Sequence, residues 1–244
     1  LKRILFSLAL LCAAMVSNAQ TGFNYYPFGI GADLSYMRAY SHVPRQDNKL
    51  GANLNLIYNY SPYIPVSLEI QKGQLSGGGL TIDKDKYGRQ FSNNFFGIYL
   101  QADIHLGELI NYGESSFLNA IKNLYFGSGA GFISNSIKAQ RTNVIPQNGA
   151  IGTPLPGPGK DKSVNLGIPL RIGYEFKLFD SYDQPRSAID IGYVQHIVFG
   201  DGIDGYTNTI SGSNSSVINQ YRELTIGFKY FFGTPLPYKK LIRP

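Results

Sequence analysis

Cysteine is almost missing from this 244-residue chain: Cys12 is the only one, and there is no tryptophan. Cys12 sits inside an apolar N-terminal stretch, after Leu11 and before Ala13, Ala14 and Met15, so nothing marks it for lipidation. A single thiol excludes an internal disulfide, a zinc-thiolate centre and a CxxC redox pair. Long apolar runs are equally scarce. Past the N-terminus no segment approaches the roughly 20 apolar residues that a membrane helix needs, which excludes a helical membrane protein. Acidic residues are outnumbered, 16 Asp and Glu against 22 Lys and Arg. The bases are nevertheless scattered, and no basic stripe with interleaved aromatics supports nucleic-acid binding.

What is present begins with an export signal. Lys2 and Arg3 precede an apolar run over residues 4–16 that only Ser7 interrupts, and Ser17-Asn18-Ala19 gives a small-x-small cleavage pattern. The expected division is a signal peptide over 1–19, one domain over 20–233 and a short tail over 234–244. With 28 Gly, 18 Tyr and 15 Phe, the composition is β-rich and turn-rich.

Eight segments alternate with a period of two, the signature of strands with one apolar face. Phe28, Ile30, Ala32, Leu34 and Tyr36 oppose Gly29, Gly31, Asp33 and Ser35. Leu54, Leu56, Tyr58 and Tyr60 oppose Asn53, Asn55, Ile57 and Asn59; Val66, Leu68 and Ile70 oppose Ser67, Glu69 and Gln71. Phe96 through Leu106 and, most clearly, Val164 through Leu178 repeat the pattern, as do Ile189–Phe199 and Leu224–Phe232 by their even or odd members. Residues 125–134 form a Gly-rich fifth segment with the faintest alternation. Several runs reach the roughly 9–11 residues of a tilted membrane-crossing strand.

The polar face carries Arg171, Glu175 and Lys177 on one strand. Burial in a hydrophobic core would cost several kcal/mol per ion, whereas a polar lumen tolerates them. The alternation therefore predicts an all-β, eight-stranded antiparallel barrel with its apolar face toward lipid. Connectors near 61–63 and 180–186 are short; those over 41–50, 76–93, 135–162 and 200–220 are long and polar, matching periplasmic turns and outer loops. Residues 114–124 (ESSFLNAIKNL) read as a short amphipathic helix, with Phe117, Leu118, Ile121 and Leu124 near helical spacing.

Export signal, eight alternating strands and an aromatic-rich last strand together resemble the small outer-membrane β-barrel families of OmpA-transmembrane, OmpX and OmpW type. The resemblance covers roughly residues 24–233 and is one of pattern rather than motif. It implies a Gram-negative bacterial outer membrane, contact with its lipid and lipopolysaccharide, and insertion by the barrel-assembly machinery, which reads an aromatic-rich final strand. Here residues 234–244 continue past that strand.

Asp33, Glu69, Asp103, His105, Arg171, Glu175, Lys177, Asp190, His196, Glu223 and Lys229 share the inward face and are expected to form a polar network plugging the lumen, or else to line a conduit. No enzyme, cofactor or metal site is expected. Neither His105-Leu106-Gly107 nor His196-Ile197-Val198 matches the His-x-Ser pattern of barrel deacylases. The Asp83/Asp85 and Asp201/Asp204 pairs lack a calcium loop's remaining ligands. The expected role is structural, adhesive or accessory, with the 114–124 helix or the outer loops as contact sites for a protein partner. A narrow channel or small-ligand conduit, a subunit of a larger outer-membrane export or assembly complex, and a lipid-modifying enzyme are the alternatives.

Overall fold

In a computed structural model, residues 24–41, 43–79, 81, 83–85, 88–113, 115–140, 159–200, 202–206 and 219–238 are described. The export signal over 1–19 and the end of the tail lie outside them. Each alternating segment is a strand: β1 (Phe28–Tyr40), β2 (Asn48–Ser61), β3 (Ile64–Gly78), β4 (Gln90–His105), β5 (Leu124–Gln140), β6 (Lys162–Phe179), β7 (Pro185–Val198) and β8 (Asn219–Phe232). Two short helices, α1 (Leu106–Leu109) and α2 (Ser116–Ile121), fill the β4–β5 connection. Each strand pairs antiparallel with its sequence neighbours, and β1 closes on β8, with Phe28 opposite Phe232. A closed cylinder leaves no unpaired edge.

The outside of that cylinder is a belt of apolar side chains. Leu34 is 68% exposed, Leu54 60% and Leu100 60%, and such residues recur on every strand. Monomeric soluble proteins rarely expose contiguous apolar patches beyond a few hundred Å², and this one runs around the whole circumference. Aromatics mark its edges. Phe28 packs beside Tyr58 and Phe232 near the short turns, with ring centroids 5.8 and 6.3 Å apart, while Tyr36 and Tyr40 sit toward the long loops. Apolar wall, aromatic girdles and closed pairing make this a transmembrane outer-membrane β-barrel.

The strands run from 13 to 18 residues, more than a bilayer requires. The surplus lies on the long-loop side. There the outward residues of β3 to β5 turn polar, with Lys72, Gln74, Ser92, Asn94, Ser136 and Lys138. The Gly-rich fifth segment is a full strand of 17 residues. Its glycines give way to bulky residues on β4: a Cβ on Gly131 would stand 2.5 Å from Cδ1 of Tyr99, and one on Gly127 would collide with Oδ1 of Asp103. The 114–124 helix shortens to α2. Ser115 caps it, its Oγ accepting from Phe117 N at 3.2 Å, and Leu124 already belongs to β5, opposite Tyr174. Tyr174, on the lipid-facing side of β6, donates to Ala120 O at 2.6 Å and holds α2 to the outer wall. Phe117 stays 69% exposed.

Candidate functional site: the filled lumen

All eleven inward polar residues named from the sequence are buried within the barrel, and they sort into two groups. The group nearer the short turns centres on Glu175. Its Oε1 lies 3.1 Å from Lys229 Nζ, and its Oε2 lies 3.6 Å from Lys177 Nζ and 4.0 Å from His105 Nδ1. Lys229 also reaches Asp190 Oδ1 at 3.0 Å, and Tyr125 donates to the other oxygen of Asp190 at 3.1 Å. Arg171 Nη1 donates to Gln101 at 2.8 Å and sits 3.5 Å from Asp103 Oδ2. Asn55 donates to Asp33 Oδ2 at 2.5 Å. Lys177 additionally donates to the Pro62 carbonyl, and its ammonium lies over the Tyr63 ring. Charges taken from water are tolerated only when paired and hydrogen-bonded, and here three bases, Lys177, Lys229 and Arg171, are threaded among four carboxylates.

The second group lies one step toward the long loops. His196 Nε2 and Glu223 Oε1 are 2.6 Å apart, and Gln71 donates to the same oxygen at 2.8 Å. Tyr221 donates to Gln71 at 2.6 Å, meets the Tyr99 hydroxyl at 3.1 Å, and stacks on His196 with ring centroids 4.1 Å apart. Glu69, opposite Asn55 and Tyr99 in register, stands between the groups. Asp103 and His105, neighbours on one inward face, do not pair: each turns to a different partner within the first group.

Both ends are stoppered by residues that sequence reasoning passed over. On the long-loop side the interior is apolar, where Met37, Leu75, Phe91, Phe95, Ile133 and Ile137 meet Ile203 and Tyr206 from the β7–β8 loop. Asn93, Asn135 and Asn165 form a hydrogen-bonded ladder at 2.7 and 3.2 Å that anchors the same loop through Ile203 O and Phe199 O. The inward strand carboxylates thus lie in the middle and turn-side portion of the lumen. On the short-turn side Tyr63 packs against Tyr112 and Tyr238, with centroids 5.7 and 5.6 Å apart. Burial pushes the Tyr63 phenol above its ordinary range and holds the Lys122 ammonium below its own. Beneath them the tail folds back: Tyr25 and Leu236 pair through their backbones, and Tyr238 donates to the buried Glu108 at 3.2 Å, as Ser61 does at 3.0 Å. Tyr238→Phe should lower stability by about 1 kcal/mol, read as an earlier urea midpoint in lipid vesicles; an unchanged midpoint would show the tail contact to be idle.

A small cavity lies within the first group. The cavity bounded by Asn55, Asp103, Arg171, Glu175 and Lys229 measures about 10 Å³, the room of a single water. Among the described residues no group of three or more His, Cys, Asp or Glu is placed to hold a metal ion. Asp85 is instead paired with Arg89 at 2.8 Å, and Asp204 accepts from Tyr206 N at 3.0 Å; Asp201 lies outside the described residues. His105 and His196 turn to carboxylates, Glu175 and Glu223.

No family model and no curated protein matches the chain. Solved structures similar to it include Neisserial surface protein A, at 13% identity over 87% of this chain and 100% of that one, with a TM-score of 0.44. Ail, the attachment invasion locus protein of Yersinia pestis, is 13% identical over 84% of this chain and 97% of its own, with a TM-score of 0.42. CarO of Acinetobacter baumannii is 13% identical over 84% and 98%, with a TM-score of 0.43. These are likenesses of outline, and the assignment of the fold rests on the chain's own closed pairing.

Proposed function

We propose that this chain is a non-conducting outer-membrane barrel with a structural, adhesive or accessory role, exercised by its two ends and not by passage through its middle. Residues 1–19 serve as its export signal and β8 as the strand read for insertion. The carrying observation is the buried charge cluster in the lumen, where Glu175 on β6 pairs with Lys229 on β8 and with Lys177 two residues along its own strand. Moving an ion through that point would require breaking buried charge pairs, with apolar packing on one side and a tyrosine cap on the other. The long-loop end, pinned by the Asn93–Asn135–Asn165 ladder, supplies a firm outward platform. The short-turn end offers α2 with Phe117 exposed.

Purified barrel added to planar lipid bilayers is expected to give no stepwise conductance at moderate voltage. Reproducible single-channel steps, abolished by widening or narrowing substitutions at Glu175, would replace this reading with a narrow channel.

A further inference from the structure

The strand charges are sorted by sign between the two faces of the wall. All six strand carboxylates, Asp33, Glu69, Asp103, Glu175, Asp190 and Glu223, point inward and are buried. Toward the long loops, the charged residues at outward strand positions are all bases: Arg38, Lys72, Lys138, Lys162 and Arg222.

Two of these bases meet. Arg38 on β1 and Arg222 on β8 are directly opposed in register, which sets their Cβ atoms about 5 Å apart on one face, where like charges destabilise a sheet. The same row continues into Asn48 on β2 and Gln195 on β7. The row toward the loops holds Tyr40 and Gln220, and the row toward the bilayer centre holds Tyr36 and Leu224. No carboxylate shares this patch among the described residues. Its frame is held in place. The Arg222 guanidinium lies 4.9 Å from the centre of the Tyr40 ring, Gln195 donates to Gln220 at 3.0 Å, and Tyr193 donates to Gln195 at 2.9 Å. Nε of Arg38 is shielded from solvent and has no hydrogen-bond partner. Two arginine side chains therefore share the outward face where the apolar belt ends.

We propose that Arg38 and Arg222 form a binding site for the phosphate group of a phosphorylated glycolipid in the outer leaflet. A phosphate supplies oxygens on several sides, so it bridges both forks and cancels their mutual repulsion. Long loops face outward in this architecture, which puts the pair at headgroup depth with Tyr36, Leu34 and Leu224 below it for the acyl chains. Lys72, Lys138 and Lys162 extend the basic rim around β3, β5 and β6. The inference is independent of whether the lumen conducts.

The test uses the intact folded barrel in detergent, titrated with bis-phosphoryl lipid A and with the same lipid after enzymatic dephosphorylation, and read by native mass spectrometry. The phosphorylated lipid is expected to bind at least about tenfold tighter. The double variant R38Q/R222Q should lose that preference, R38K/R222K should keep part of it, and millimolar inorganic phosphate should not displace the lipid. Equal binding of the two lipids by the wild type, an unaltered preference in the double glutamine variant, or displacement by inorganic phosphate would each overturn the proposal. Should that variant fail to fold, phosphorus NMR of the wild-type complex decides: contact between the phosphate and the arginine side-chain protons supports the site, and contact with the lysines alone refutes it.

Discussion

Replacing Glu175 with Ala is expected to cost the folded barrel about 3–5 kcal/mol, the loss seen when one partner of a buried ion pair is removed. Lys229 and Lys177 both lean on this carboxylate, at 3.1 and 3.6 Å. Its removal leaves the two ammonium groups facing each other in a space sealed from bulk water. Lys229 keeps Asp190 at 3.0 Å; Lys177 falls back on a backbone carbonyl and an aromatic face. Glu175→Gln keeps shape and hydrogen bonding without the charge, so its loss should be in the same direction and smaller. Pairing E175Q with Lys177→Met removes a charge of each sign, leaves the Lys229–Asp190 pair in place, and should recover part of the loss, because swapping a whole buried pair for neutral groups is often close to neutral. Urea unfolding in lipid vesicles measures all three. It is followed by circular dichroism and by the gel mobility of the folded form, since the chain has no tryptophan to report. An E175A midpoint equal to wild type would mean that the lysines are not held by this carboxylate.

Gly131→Val should be nearly as damaging, by about 1–3 kcal/mol or more through overpacking. Tyr99 lies flat across the inner face: its ring comes within 2.5 Å of a Cβ placed on Gly131 and 3.0 Å of one on Gly167. A side chain at 131 pushes that ring off β5, and with it the hydroxyl contact to Tyr221 on the far wall. The new atom also meets the Ile98 carbonyl on the adjacent strand. Adding Tyr99→Ala to Gly131→Val should therefore restore only part of the folding yield, since ring and backbone clashes are separate. Wild-type yield and wild-type unfolding midpoint in the single variant would contradict the close packing described for β5.

Strand count, pairing order and inward identity of the eleven polar residues were legible in the sequence because they follow from a period of two along each strand. What that period cannot carry is information about stagger between strands. Glu175 and Lys229 are 54 residues apart, and their meeting depends on how β6, β7 and β8 are offset around the cylinder. Asp103 and His105 stand two apart on one inward face, yet the barrel sends them to different partners. The apolar plug was hidden for another reason. Met37, Leu75, Phe91 and Ile133 extend runs in which both faces are apolar or the outer face has become polar, so local alternation does not say which side is core. α2 was visible as a helix but overextended, because its hydrophobic spacing continues into Leu124, a residue whose cross-strand partner wins it for β5.

The β1–β8 seam carries a consequence for biogenesis. It joins the first strand to the last, from Phe28–Phe232 to Tyr40–Gln220, and the stitch continues beyond the strands to Tyr25 and Leu236. Until the final strand is delivered, a nascent cylinder keeps raw hydrogen-bonding edges in a hydrocarbon medium that cannot satisfy them. Any product lacking β8 is therefore an open sheet, and delivery of β8 is the event that seals the wall.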